Sequence, residues 1–320
     1  MKAAFIAALA LAVAGSAMAQ GGYPNRPVSV VVGFAPGGGT DTVARIIAKS
    51  LSESLGQQVV VENKAGAGGN IAAEYVARAT PDGHTILLGN VGSLAVAPHM
   101  IASLGYDPLR DFAPIAMAVV FANVIVVPST VPAYTLAEFV KLAQAKPGSV
   151  TYGTSGIGGA GHLAGEMFNL RANIELVHVP YKGGGPSMQG LLGGQVASSF
   201  ATPVSVVEHM KAGKLRALAT TGPKRAALLP DVPTVAESGY PGFEAMNWYA
   251  FVAPAKTPKE IIERLNRDLV KALNNANVAA LLHQQGLEPS PSSPAELARY
   301  IEREYETWGK VVQRAGIKAQ

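Results

Sequence analysis

Apolar positions along the chain follow two alternating rhythms. Short, nearly continuous runs of Val, Ile and Leu end in glycine-rich loops, and each loop opens a stretch with apolar residues at helical spacing. Arg26 to Val32 (R-P-V-S-V-V-V) is such a run, as expected of a strand buried on both faces. It ends in Gly33 to Asp41, and the spacing then predicts a helix over Val43 to Leu55 with Val43, Ile46, Ile47 and Leu51 inward. Val59 to Val61 passes through Glu62 to Asn70 into a helix over Ile71 to Ala79. Thr85 to Leu88 passes through Gly89 to Ser93 into a short helical segment.

The scheme then returns. Ser149 to Tyr152 enters the loop Gly153 to Gly159, ahead of a helix with Leu163, Met167 and Leu170 on one face. Leu176 to Val179 precedes Pro180 to Pro186 and a helix from Ser187 to Leu192. Val196 to Phe200 precedes Ala201 to Pro203 and a helix from Val204 to Lys211. The interval from Gly37 to Gly66 nearly equals that from Gly156 to Gly183, so the two halves share one plan. Phe121 to Val127, Leu215 to Thr220 and Ala245 to Ala253 complete the strands. Helices over Leu136 to Ala145, Lys259 to Asn274 and Pro294 to Ala315 complete the rest. The expected fold is α/β with two lobes, each a mostly parallel sheet flanked by helices. Crossings near Asn123 and Asn247 would make residues 20–123 with 247–320 one lobe and 124–246 the other.

Residues Met1 to Ala19 carry Lys2, an apolar run from Ala3 to Ala14 and the small-residue site Ala17-Met18-Ala19. This pattern is that of a secretory signal peptide, too short to span a bilayer, and it puts the mature protein, from Gln20, in the periplasm. The chain has no cysteine, so neither a lipid-anchored start nor a disulfide framework is available. Net charge is +4, or +3 once Lys2 is removed, spread without a basic run, which argues against nucleic acid as a partner.

Glycine-rich strand ends ahead of helices are anion sites in principle. A helix start leaves backbone N–H groups unpaired and carries partial positive charge. In open α/β sheets the carboxyl ends of the strands line the ligand crevice, so six such loops facing one another would share a cleft. Competing readings of the central loop fit less well. Gly156, Gly158 and Gly161 satisfy G-x-G-x-x-G, but Glu175 precedes the next strand instead of ending it, so the ribose-binding acid is at the wrong end. The G-x-S-x-G elbow fails because Ile157 stands where a sharp turn needs glycine. The remaining histidines lack metal-ligand spacing and no paired carboxylates sit at strand ends, so neither metal nor cofactor is expected.

The chain resembles the extracytoplasmic solute receptors of tripartite tricarboxylate transporters, the Bug or TctC family. The resemblance spans the mature chain. Its pieces are Phe34 to Asp41, Glu62 to Gly69, Thr154 to Glu166, Val179 to Gly183, Lys214 to Ala219, Leu229 to Pro241 and Ala253 to Pro258, specific in their order. It implies a hinged "Venus flytrap" that closes on a carboxylate and presents it to the membrane components of a transporter, as a monomer and without catalysis. It also implies that one carboxylate sits at Thr154, Ser155, Gly156 and Gly158, with the other end of the ligand against Phe34, Ala35, Gly37, Gly38 and Asp41. The further candidate contacts are Ala67, Asn90, Ser93, His162, Tyr181, Ala201 and Thr202.

Several of these have a plainer role open to them. Asp41 suits a helix start, His162 a buried hydrogen bond, Phe34 and Tyr181 packing, and Lys182 solvent. Two other functions stay open: an exported α/β hydrolase using Ser155 and His162, and a ligand sensor for a membrane signalling protein. A hydrolase requires a hydrogen bond from Ser155 Oγ to a histidine nitrogen.

Overall fold

The computed structural model describes residues 22–315. The signal segment 1–19 lies outside the described residues. The chain begins with β1 (Val28–Val32), α1 (Gly39–Leu55), β2 (Val59–Asn63), α2 (Asn70–Ala77) and β3 (Thr85–Asn90). A π-helical turn, Gly92–Val96, runs into α3 (Ala97–Met100). Next come β4 (Phe112–Ala122), β5 (Val124–Pro128), α4 (Leu136–Ala145), β6 (Val150–Thr154), α5 (Ala160–Ala172) and β7 (Leu176–Pro180). They are followed by α6 (Gly184–Leu192), β8 (Ser198–Ala201), α7 (Pro203–Lys211), β9 (Leu215–Thr220) and β10 (Met246–Pro254). The last elements are α8 (Lys259–Leu273), α9 (Ala276–Gln284), β11 (Glu288–Pro289) and α10 (Pro294–Ala315).

The strands form two sheets. One has the order β11-β4-β10-β3-β1-β2, the other β7-β6-β8-β5-β9. In each, the first strand of the repeating unit lies between the second and third, all parallel: β1 between β2 and β3, β6 between β7 and β8. The sheets are mixed, since the strands that carry the chain between them run antiparallel: β10 against β3 and β4, β5 against β8 and β9. The parallel share is thus limited to the three-stranded units, because a chain leaving one sheet for the other must run back along it.

The single strand expected from Phe121 to Val127 is two strands in two sheets. β4 ends at Ala122 and β5 starts at Val124, with the change of sheet at Asn123, whose N–H donates to Thr221 Oγ1 at 2.9 Å. The return passes between Thr220 and Met246.

Helices bury the faces their spacing predicts. In α1, Val43, Ile47 and Leu51 are fully buried, and α8 buries Leu265 and Leu269 on the same side of the first sheet. On its other face α2, the π-helical turn and α10 pack around the fully buried Trp248. The exception is α5. Leu163 is buried but Leu170 is 61% exposed, and the inward face is made by Leu163, Ala164, Phe168 and Ala172. Small residues let α5 sit close to Tyr152 and Phe200, so the larger Leu170 is left outside.

Candidate binding site

The carboxyl ends of both three-stranded units face each other, and their loops touch. Ala35 N–H donates to Lys182 O at 3.0 Å across the gap, and Gly38 packs against Gly184. Between them lies a narrow cavity of about 30 Å³. At the ~10–15 Å³ that one water needs, the cavity has room for about two or three waters.

Four helix starts meet at this cavity. Gly39 and Thr40 of α1, Ala160 and Gly161 of α5, Gly184 and Ser187 of α6, and Thr202 before α7 all line it. None of these four helices has a side-chain cap. Away from the cavity, α4 is closed by a Thr135–Glu138 capping box and α9 by Asn275, while α2, α3 and α8 are also uncapped, so it is the convergence of the four starts that sets this place apart. An uncapped start leaves N–H groups for a ligand. Gly161 also has a steric reason: a Cβ there would run into Phe200 O. Among the described residues, none of those lining the cavity is Lys, Arg, His, Asp or Glu. The positive pole therefore comes from backbone dipoles and neutral donors.

Of the expected contacts, Phe34, Gly38, Asn90, Thr154, Ser155, Ala201 and Thr202 lie on the cavity wall. The other nine stand behind it or at its rim. Asp41 is buried and turned away, accepting from Gly37 N–H at 3.0 Å and from Asn63 and Arg45. Burial opposes its ionisation, but these partners outweigh burial and hold its carboxyl below the usual range. Ala35 and Gly37 serve the latch to Lys182 and the Asp41 turn, and Ala67 is held in a 3-10 turn at φ 48°. Ser93 fixes the Asn90 side chain, donating to its Oδ1 at 2.9 Å. Tyr181 packs beside Gly153 and Gly190 and donates to Gln195 at 3.3 Å.

Gly156, Gly158 and His162 build the loop from behind. Gly156 N–H donates to Thr154 Oγ1 at 3.2 Å, and Gly158 N–H donates to His162 Nδ1 at 3.1 Å. His162 stacks on His178 with centroids 4.1 Å apart, and His178 Nε2 pairs with Thr154 Oγ1 at 2.7 Å. Burial lowers His162 to a pKa of about 4. Burial, with the adjacent His162, lowers His178 to about 3. With Nδ1 bonded to Gly158 and Nε2 facing Glu166 at 4.0 Å, His162 has no nitrogen for Ser155. The nucleophile–base pair that a hydrolase requires is not assembled.

Residues not anticipated from sequence include the first-turn positions Gly39, Thr40, Ala160, Gly161, Gly184, Ser187 and Ser205. Gly39, Thr40 and Gly184 lie within the strand-end loops read from the sequence, and one helical turn beyond those loops reaches the other four. Asn123 and Asn247, placed at the crossings, also face the cavity, as does Tyr249. Burial raises the Tyr249 phenol far above its ordinary value, so it meets the cavity as a neutral hydroxyl.

A family model described as the tripartite tricarboxylate transporter family receptor matches residues 43–317. The chain belongs to this receptor family. It is 39% identical to protein BugT of Bordetella pertussis over 92% of this chain and 91% of that one. Among solved structures, the periplasmic binding protein BugD superposes with a TM-score of 0.90 at 37% identity, covering 93% and 100% of the two chains. An R. palustris protein solved with adipate gives 0.90 at 37% identity, covering 93% and 99%. MatC from Rhodopseudomonas palustris, with bound malate, gives 0.87 at 34%, covering 91% and 100%. The two-lobed α/β fold is that of these periplasmic binding proteins.

Proposed function

We propose that this family member is a periplasmic receptor that captures a small carboxylate between its lobes and delivers it to the membrane components of a tripartite tricarboxylate-type transporter. In this reading it acts as a monomer and performs no catalysis. The observation that carries the reading is the convergence of four uncapped helix starts on one cavity lined without any charged side chain. Such a pole binds an anion without a fixed cation, and the adipate and malate of the related structures are anions of this kind.

The lobes would be residues 20–123 with 247–320 and residues 124–246, hinged at the Asn123 crossing and at the return before Asn247. One carboxylate would take the α5 start beside Thr154 and Ser155. The other end of the ligand would face Phe34, Gly38 and the α1 start.

Two or three hydrogen bonds to a carboxylate at roughly 1.5–3 kcal/mol each, with helix-start charge adding up to about 2, reach micromolar affinity, about 8 kcal/mol, after ordering costs. Isothermal titration of residues 20–320 with malate, succinate, glutarate and adipate tests this. One-to-one binding in the micromolar range is expected for at least one of them. Binding of none at millimolar concentration would sink the proposal.

A further inference from the structure

Beyond the carboxylate pole, the cavity wall carries two buried polar groups with nothing to bond. Asn123 is 1% exposed and its Nδ2 lacks a partner; Ser187 is 3% exposed and its Oγ lacks one. Both line the cavity. The Asn123 backbone is committed elsewhere, its N–H donating to Thr221 Oγ1 and its carbonyl accepting from Thr221 N–H, each at 2.9 Å. Only the side-chain amide is left to meet a ligand. The other hinge amide, Asn247, already gives its Oδ1 to Trp248 N–H at 2.8 Å.

A primary amide nitrogen offers only donors, and a serine hydroxyl can donate or accept. Burying such groups unpaired costs about 1–3 kcal/mol each. A methylene chain placed against them would leave both unpaired. An oxygen on the chain placed against either group would accept from Asn123 Nδ2 or pair with Ser187 Oγ.

We infer that Asn123 and Ser187 select a carboxylate bearing a hydroxyl or oxo group on its carbon body over the analogue without it. The inference rests on the carboxylate reading above and names the substrate class of that same cavity.

The test is isothermal titration of residues 20–320 with two matched pairs, malate against succinate and 2-hydroxyglutarate against glutarate. The oxygenated member of at least one pair is expected to bind about tenfold to a hundredfold more tightly. In Asn123→Leu, close in shape but without donors, that ratio falls to within about threefold, mainly through lost affinity for the hydroxy acid. Ser187→Ala, a smaller change that keeps the inference testable if the first variant does not fold, reduces the ratio in the same direction. Equal affinity of the wild type for both members of each pair overturns the inference while leaving the carboxylate reading standing. So does a ratio that survives in both variants. Binding of no carboxylate at all overturns both, and is told apart by the absence of heat from every ligand.

Discussion

Closing the lobes brings backbone against backbone, which makes closure sensitive to a single methyl group. Gly92 opens the π-helical turn after β3, and a Cβ there would stand 2.9 Å from Gly158 O and 3.3 Å from Gly159 Cα on the facing loop; within its own lobe it would stand 3.1 Å from Asn90 Nδ2, a side-chain end that can yield by a few tenths of an ångström. Ordinary contact begins at 3.4 Å, so the Gly158 loop would have to retreat by 0.5 Å. Its carbonyl cannot swing aside as a side chain would, because it shares a peptide plane with Gly159 N–H, which donates to Gly156 O at 3.4 Å. Overpacking of this size costs roughly 1–3 kcal/mol. The cost set against the Gly158 loop falls on the closed form, and the apparent dissociation constant rises by the fraction of competent closed form lost, about fivefold to 150-fold.

The same methyl favours the helical turn of its own lobe by up to about 1 kcal/mol. Gly92→Ala should therefore weaken carboxylate binding while leaving the melting temperature of the ligand-free protein unchanged or raised. Isothermal titration and differential scanning calorimetry on one preparation read both quantities. Wild-type affinity in Gly92→Ala would refute the claim that these loops must meet around the ligand. A loss of affinity matched by a fall in melting temperature would point instead to damage within the first lobe.

Three further outcomes follow from the buried polar groups. His162 and His178 have folded pKa values of about 4 and about 3, below the ~6.5 of a free imidazole, so the unfolded chain binds more protons as pH falls. Their contribution is fully present above about pH 6.5 and is lost as pH drops toward 4 and then 3. At ~1.36 kcal/mol per unit, His162 alone accounts for about 3 kcal/mol of that loss. Urea unfolding from pH 7 to 4 should be clearly flatter in His162→Gln/His178→Gln than in the wild type, and identical slopes would contradict it. Glu304 accepts from Trp248 Nε1 at 2.9 Å and from Trp308 Nε1 at 3.1 Å. Glu304→Ala should lower stability by about 1–3 kcal/mol, measured by urea unfolding, with affinity unchanged. Gly161→Ala should cost both stability and binding, since its Cβ would meet Phe200 O at the cavity wall; thermal unfolding and titration read the two losses.

Much of the frame was legible because strand-forming apolar runs end abruptly in glycine, as at Val32 before Gly33 and Leu88 before Gly89, and the pattern recurs in the second half. The pairing of the two halves followed from that punctuation, as did the expectation of an anion site at the loop after Tyr152. A crossing was legible near Asn123, but the break of the strand there was not, because one amide within the apolar stretch from Ile115 to Val127 leaves the hydropathy of a single strand intact. The buried face of α5 was misjudged because Ala and Gly face inward there, and spacing rules weight the larger Leu170.

Within the loops, composition showed which segments meet, but glycine dihedrals decide which residues point into the cavity. Gly156 and Gly158, at φ 147° and 75°, turn their own N–H groups back onto Thr154 and His162. Donors at the cavity come instead from Ala160 and Gly161 one turn later.

The most direct test is to remove one of those donors without disturbing the helix. Ala160 is the first residue of α5, and Gly159 before it is extended at φ −72°, ψ 162°, a geometry that accepts a following proline. Ala160→Pro deletes the N–H while Ala160→Ser keeps it. Titration with the tightest carboxylate should show Ala160→Pro binding about tenfold to 150-fold more weakly, at roughly 1.5–3 kcal/mol for a hydrogen bond to a charged group, with Ala160→Ser within a few-fold of the wild type. Unchanged affinity in a normally folded Ala160→Pro would contradict the claim that the α5 start holds the carboxylate.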